Sequence, residues 1–390
     1  MAFIYFDHNA TTPVHPEVAE GLAEAFRRAV HQPGNPSSVH AGGRAVKARL
    51  ETARERAARI FGCEPKEIVF TGSGSEADAL ALKGAWAARR SADASRRRVV
   101  TSSIEHPAVL QSVKQLEQLE GAEVVRVAPD ASGRVPVEAF VDALDGAQTA
   151  VASLMWANNE TGVLQPVREV ARACRERGVL FHSDAVQAVG KVPVTLREAD
   201  CDLLSLSAHK FGGPAGVGML IVRRGVNVQP LVPGHQENGR RGGTHDLPYI
   251  EALVRALELS ASPDVLDAGL QRLGAMRDRL ERELTQRISG VHVNGAGALR
   301  LPNTANVRFE GADGEALLIG LDLAGICVSA GAACASGSLT PSHVLSAMGL
   351  TPTQAHESLR LSLGRTTTEA DVDALVAALV EQVPRARAVA

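Results

Sequence analysis

Between residues 45 and 225, short apolar runs alternate with helical patterns, and this alternation constrains the fold more than any other feature. The runs Ile68–Thr71, Arg98–Ser102, Glu123–Val127, Thr149–Met155, Val179–His182, Leu203–Ser207 and Val217–Arg223 have the length and composition of strands. Helical patterns fall at Arg44–Phe61, Ser75–Arg90, Pro107–Glu120, Val137–Leu144 and Val167–Arg177. Strands separated by helices can pair in parallel, because the helix supplies the crossover and covers the sheet face. The expected fold class is therefore α/β, with a mostly parallel seven-stranded sheet flanked by helices. After Pro248 the pattern changes. A long helical stretch over Tyr249–Arg287 leads to short strands at Val291–Val293 and Thr304–Phe309, then to helices at Gly314–Leu323 and Glu369–Gln382. A chain of 390 residues exceeds one simple core, so a second, smaller α+β domain is expected. The expected division gives residues 12–255 to the large domain, and residues 1–11 and 256–390 to the small one.

Charge and cysteine content exclude several classes. With 41 basic and 44 acidic residues the net charge is −3, which disfavours nucleic acid or an anionic membrane surface as a partner. No apolar run approaches the roughly 20 residues that span a bilayer. Met1–Asp7 lacks the basic and apolar regions of a signal peptide. The five cysteines (63, 174, 201, 327 and 334) are odd in number and show no Cys-x-x-Cys spacing. A disulfide framework and a structural zinc site are therefore not expected, no metal is assigned, and a reducing cytoplasm fits. Cys63, Cys174, Cys201 and Cys327 sit among apolar or helical neighbours and read as small core residues.

In a parallel sheet, ligands collect at the carboxyl ends of the strands. Thr71, Ser102, Met155, His182 and Ser207 are predicted strand ends, and each is followed by polar residues. Lys210 follows Ser207-Ala208-His209 and precedes the glycine-rich Gly212-Gly213-Pro214-Ala215-Gly216. A second apolar stretch ends in Asp184, with Gln187 three residues on. An amine free to form a Schiff base, with a buried carboxylate for a pyridinium nitrogen, is the pairing that pyridoxal phosphate demands. A surface lysine and a structural salt bridge are the ordinary readings of the same two residues.

Other segments fit the same picture. Thr71-Gly72-Ser73-Gly74-Ser75-Glu76 follows a strand and opens a helix, which suits a phosphate, and it lacks the Gly-Lys-Ser/Thr of a nucleotide loop. Ser207 and His209 offer further phosphate donors. His106 follows a strand end, where it could stack on a ring or begin a helix. Asn158, Asn159 and Glu160 suggest ligand contacts or a polar turn. Arg360, flanked by apolar residues, wants a carboxylate, from a ligand or from the protein itself. Cys334, among small residues in Ser329–Ser338, reads as an accessible thiol.

Together these residues resemble the cysteine desulfurases (NifS/IscS-like enzymes) of the class V aminotransferase group, fold-type-I pyridoxal phosphate enzymes. Asp7-His8-Asn9-Ala10-Thr11-Thr12 and Gly34-Asn35-Pro36-Ser37-Ser38-Val39-His40 look like N-terminal motifs of that family. The segments around Ser75, His106, Asn158, Asp184, Lys210, Gln236, Thr244, Cys334 and Arg360 follow in family order. The resemblance implies removal of sulfur from L-cysteine, giving L-alanine and a persulfide on Cys334 that passes to an acceptor such as an iron–sulfur scaffold protein. It implies a Schiff base on Lys210, ring contacts from Asp184, Gln187 and His106, and phosphate contacts from Gly74, Ser75, Ser207 and His209. Asn158, Arg360 and Asn35 would bind substrate, and His106 would share in proton transfer. Thr244 would reach the other subunit's phosphate, which implies a homodimer. Selenocysteine lyase or another class V reaction is the alternative. The chain departs from the family pattern at Gly72, Ser75, Asp246 and Ala332, and none of these removes a catalytic group.

Overall fold

A computed structural model describes residues 3–261, 263–330 and 341–389. After a short strand β1 (Ile4–Tyr5), the alternating stretch supplies β2 (Ile68–Thr71), β3 (Arg98–Ser102), β4 (Glu123–Val127), β5 (Thr149–Ser153), β6 (Leu180–Asp184), β7 (Leu203–Ser207) and β8 (Gly218–Val222). Strands β2 to β8 form one seven-stranded sheet in the order β2-β8-β7-β6-β5-β3-β4. The pairs among β3 to β7 are parallel, whereas β8 runs antiparallel to both β2 and β7. Every residue of β5, β7 and β8 is buried, as expected for strands covered on both faces.

Three of the departures from the sequence expectation have a clear structural cause. The Ser75–Arg90 helix is Gly74–Ala79, a π turn over Leu80–Gly84, and Ala85–Ala92. The carbonyl of Gly84 accepts from Gln229 N at 3.0 Å, which draws it away from the regular ladder. A Cβ at Gly84 would lie 2.6 Å from Gln229 O, so only glycine admits this approach. The long stretch after Pro248 is two helices, Leu247–Ser260 and Pro263–Arg287, the second opened by a proline that has no N–H to continue the first. A further helix, Pro16–His31, was not foreseen; Pro16 sets its first turn.

The C-terminal part supplies β9 (Val291–Val293), β10 (Thr304–Phe309), β11 (Ile326–Cys327) and β12 (Ser358–Ser362). Strands β12, β10 and β9 form an antiparallel sheet in that order, and β1 pairs in parallel with β11. Their apolar faces pack with the helices Pro263–Arg287, Gly314–Leu323 and Glu369–Arg387 in a core containing Phe6, Leu280, Val307, Phe309, Leu359 and Leu375. Phe6 therefore belongs to this core, while three residues later Asn9 donates to Asn159 O, just past β5 of the large sheet. Among the described residues, no helix is long and apolar enough to cross a membrane.

Candidate active site

A cavity of about 180 Å³ opens where β5, β6 and β7 end. Gly74, Ser75, His106, Asp184, Gln187, Ser207, His209 and Lys210 all line it, joined by Asp78 and Asn159. These eight expected residues come from three strand ends and one helix start, so the sheet's parallel topology brings them together.

Lys210 ends a single 3-10 turn, Ala208–Lys210, that follows β7 directly. A Cβ at Gly213 would stand 2.7 Å from Ala208 Cβ, so this turn closes only with glycine there. Lys210 Nζ donates to the carbonyls of Asn9 and Ala10, both at 2.7 Å. Burial, with the Arg360 charge, pushes its amine down to about 8, against the pull of Asp184 and Asp7.

Asp184 ends β6, and its Oδ1 accepts from Val186 N at 2.8 Å. Burial raises its carboxyl to about 6, opposed by that hydrogen bond and by Lys210. Asp78 stands on the helix opposite and is 1% exposed, and its Oδ1 has no hydrogen-bond partner. Burial and the Asp184 charge hold it protonated well above the usual carboxylate range. An oxygen from each of these carboxylates and a ring nitrogen of His106 lie within 4.8 Å of one another. The cavity thus carries an amine on one wall and two crowded carboxylates on another.

His106 accepts from Ala108 N through Nδ1 at 3.1 Å, which leaves the proton on Nε2. Burial first, then Lys210 and His343, lower its ring to about 4, so the imidazole is neutral at pH 7. Ser73 caps the helix by accepting from Glu76 N at 3.1 Å. A Cβ on Gly74 would sit 2.9 Å from Ser207 Cβ and 3.0 Å from Val186 Cγ2, so glycine is required where the helix start meets β7.

The remaining expected residues lie elsewhere. Asn158 is fully buried and turned away: its Oδ1 accepts from Glu160 N and Thr161 N, and its Nδ2 donates to Ile104 O. The neighbouring Asn159 lines the cavity instead. Arg360 lies beside the cavity without lining it; Nη1 donates to Asn159 O at 3.1 Å and Nη2 pairs with Asp7. Asn35 is exposed in a turn, where Oδ1 accepts from Ser37 N, and it touches no part of the cavity. Thr244 is exposed and does not line the cavity of its own chain. Cys334 lies outside the described residues, but the chain on either side is anchored here. Arg360 N donates to Ser329 O at 2.7 Å, and Ser342 Oγ donates to Glu160 Oε2 at 2.5 Å.

Three residues of the site escaped the sequence reading. Asp78 lies one turn after Ser75, and Lys191 one turn after Gln187, spacings that could have flagged both. Asn9, in the N-terminal motif, bonds Lys210, Gln187, Lys191, Asn159, Asn303 and Thr304, and nothing local to it announces this.

The chain belongs to the aminotransferase class-V family, whose model matches residues 4–375. Within it, the chain is 47% identical over 394 residues to a cysteine desulfurase of Cereibacter sphaeroides, covering 100% of this chain and 97% of the other. It is 44% identical over 386 residues to an IscS-like cysteine desulfurase of Mycobacterium tuberculosis, at 98% and 97% coverage. A solved NifS-like protein superposes with a TM-score of 0.88 at 35% identity, covering 97% and 99%. The structure of SspA in complex with cysteine matches with a TM-score of 0.79 at 33% identity, covering 92% and 98%.

Proposed function

We propose that this protein is a cysteine desulfurase that holds pyridoxal phosphate in the cavity between Lys210 and Asp184. The observation that carries this reading is the convergence of that amine and that buried carboxylate in one small cavity. Among the described residues no lysine or arginine forms an ion pair with Asp184 or Asp78, and a protonated ring nitrogen would supply a partner there. The donor set therefore fits the cofactor that the family uses. Gln187 would face the phenolic oxygen and His106 the ring face, with Ser75, Ser207, His209 and the Gly74 backbone around the phosphate. Thr244, exposed on its own chain, would complete the site of a second subunit in a homodimer.

Bound there, the cofactor supplies an electron sink for the substrate's α-carbon and an aldehyde for the Lys210 amine. Lys210 has its amine near pH 8, so a substantial fraction is neutral at physiological pH and can take the α-proton at Nζ. Arg360 and Asn159 would orient the substrate carboxylate. His106, neutral and with its hydrogen on Nε2, would offer a hydrogen bond there rather than transfer a proton. The Cys334 thiolate then attacks the substrate sulfur: the new S–S bond forms as the C–S bond breaks. The carbon keeps the electron pair and gains a proton, leaving L-alanine and a persulfide. Both flanks of the Cys334 segment are pinned to the residues around the cavity. An acceptor protein, such as an iron–sulfur scaffold in the cytoplasm, would then take the sulfur.

The test is to load the purified protein with pyridoxal phosphate and add L-cysteine with a thiol reductant. The expected result is a coloured protein that releases alanine and sulfide in equal amounts. Lys210→Ala should lose the visible band, and Cys334→Ala should keep it and lose sulfide production. A coloured wild type that makes no alanine would sink the desulfurase reading and point to a different amino-acid substrate.

A further inference from the structure

Gln187 lines the cavity with both ends of its amide hydrogen-bonded. Its Oε1 accepts from Lys191 Nζ at 2.5 Å, and its Nε2 donates to Asn9 O at 2.9 Å. Lys191 Nζ also donates to Asn9 Oδ1 at 3.1 Å. The Asn9 carbonyl only accepts, so the amide nitrogen must face it, and the amide oxygen then takes a hydrogen from Lys191 Nζ, which donates in either protonation state. Nε2 carries two hydrogens. Asn9 O takes one, and the other remains for the cavity that Gln187 lines.

Lys191 is itself unusual. It is 8% exposed, and among the described residues no carboxylate pairs with it. Burial, with the charges of Lys210 and Arg360, pushes its amine well below the ordinary lysine range. A buried lysine without a carboxylate is costly. An apolar side chain of similar length would fill the space but leave Gln187 Oε1 and Asn9 Oδ1 without this donor. Lys191 and Lys210 also line a second cavity of about 560 Å³, so these two lysines with Gln187 form the partition between the two spaces.

We propose that Lys191 is a positioning residue of the cofactor site: it holds the Gln187 amide with its nitrogen turned to the cavity, so that the site offers a donor to an acceptor oxygen on the cofactor ring. This rests on the reading of the cavity as a pyridoxal phosphate site. Lys191 itself touches no reacting atom; it acts through Gln187.

A double-mutant cycle tests it, read as the dissociation constant of pyridoxal phosphate from the apoprotein and as the ratio of the loaded protein's two visible bands at fixed pH. Lys191→Met should weaken binding about ten-fold, the worth of one hydrogen bond. It should also raise the longer-wavelength band, because the ring oxygen loses a donor and holds the shared proton more tightly. Gln187→Met should do the same, and the double variant should be no worse than Gln187→Met alone. Lys191→Gln keeps a donor and should stay within about three-fold of wild type, a comparison that stands even if Lys191→Met fails to fold. Equal losses from Lys191→Met in the wild-type and Gln187→Met backgrounds would overturn the proposal, as would a ten-fold loss in a folded Lys191→Gln. A wild type that takes up no pyridoxal phosphate would overturn the cofactor reading together with it, whereas the other outcomes touch Lys191 alone.

Discussion

Arg360 Nη2 lies 2.6 Å from Asp7 Oδ1, so the arginine beside the cavity already holds a carboxylate supplied from 353 positions away in the chain. If Arg360 takes the substrate carboxylate as proposed, that carboxylate would compete with Asp7 or share the guanidinium with it. Arg360→Ala is expected to raise KM for L-cysteine at least about ten-fold, as loss of a charge-assisted contact does. Asp7→Asn removes the competitor and should leave KM unchanged or lower, while lowering the melting temperature because a largely buried pair is broken. Steady-state kinetics on both variants decide this. A matching rise in KM for Asp7→Asn would show that the pair serves structure alone.

Cofactor uptake should depend on pH through Lys210. Only the neutral amine is a nucleophile, and its folded value of about 8 lies below the free lysine value. The loading rate of the apoprotein should therefore climb with pH to a midpoint near 8 and level off above it. Stopped-flow absorbance across the pH range measures this. A rate still rising steeply beyond pH 10 would place the amine at an ordinary lysine value instead.

Glu105 gives a stability prediction. Its Oε1 accepts from Ser102 Oγ at 2.7 Å and Met155 N at 2.9 Å, and Oε2 has no partner. Burial raises its carboxyl from 4.5 to about 8. A raised folded value means that the stabilising contribution is complete below 4.5 and lost as pH climbs through 8. Glu105→Gln mimics the protonated acid, so its melting temperature relative to wild type should increase between pH 5 and 9. A difference independent of pH would show that Glu105 does not titrate in that window.

Gly74→Ala tests the cradle. The added methyl meets Ser207 Cβ at 2.9 Å and must push the helix start away from β7. Pyridoxal phosphate affinity should drop by about ten-fold or more, with KM for cysteine in the loaded protein changing much less. Equal affinity in the variant would show that the helix start does not bear on the phosphate.

Much of this arrangement is legible in the sequence because it is local. β2, β3, β4 and β7 have the limits their apolar runs suggest, and Asp184 and Lys210 stand at the end of β6 and just past the end of β7. The choice between Asn158 and Asn159 was not legible, since two adjacent amides look alike. The turn decides it, by drawing Asn158 Oδ1 onto the amides of Glu160 and Thr161. The π turn was hidden for a different reason: its cause, Gln229 bonding Gly84 O, lies in a remote segment. Asn9 is the extreme case, a short polar residue whose importance comes wholly from partners brought in by tertiary folding.

The bonds of Asn9 also bear on the order in which the site is made. Its side chain bonds Asn303 and Thr304, its carbonyl accepts from Lys210, and the neighbouring Asp7 takes Arg360. A nascent chain can lay down the whole large sheet on the ribosome and still lack the residues that close this floor. The contacts that hold the N-terminal segment beside the cavity are therefore complete only after residue 360 has been synthesised, when both ends of the polypeptide have met.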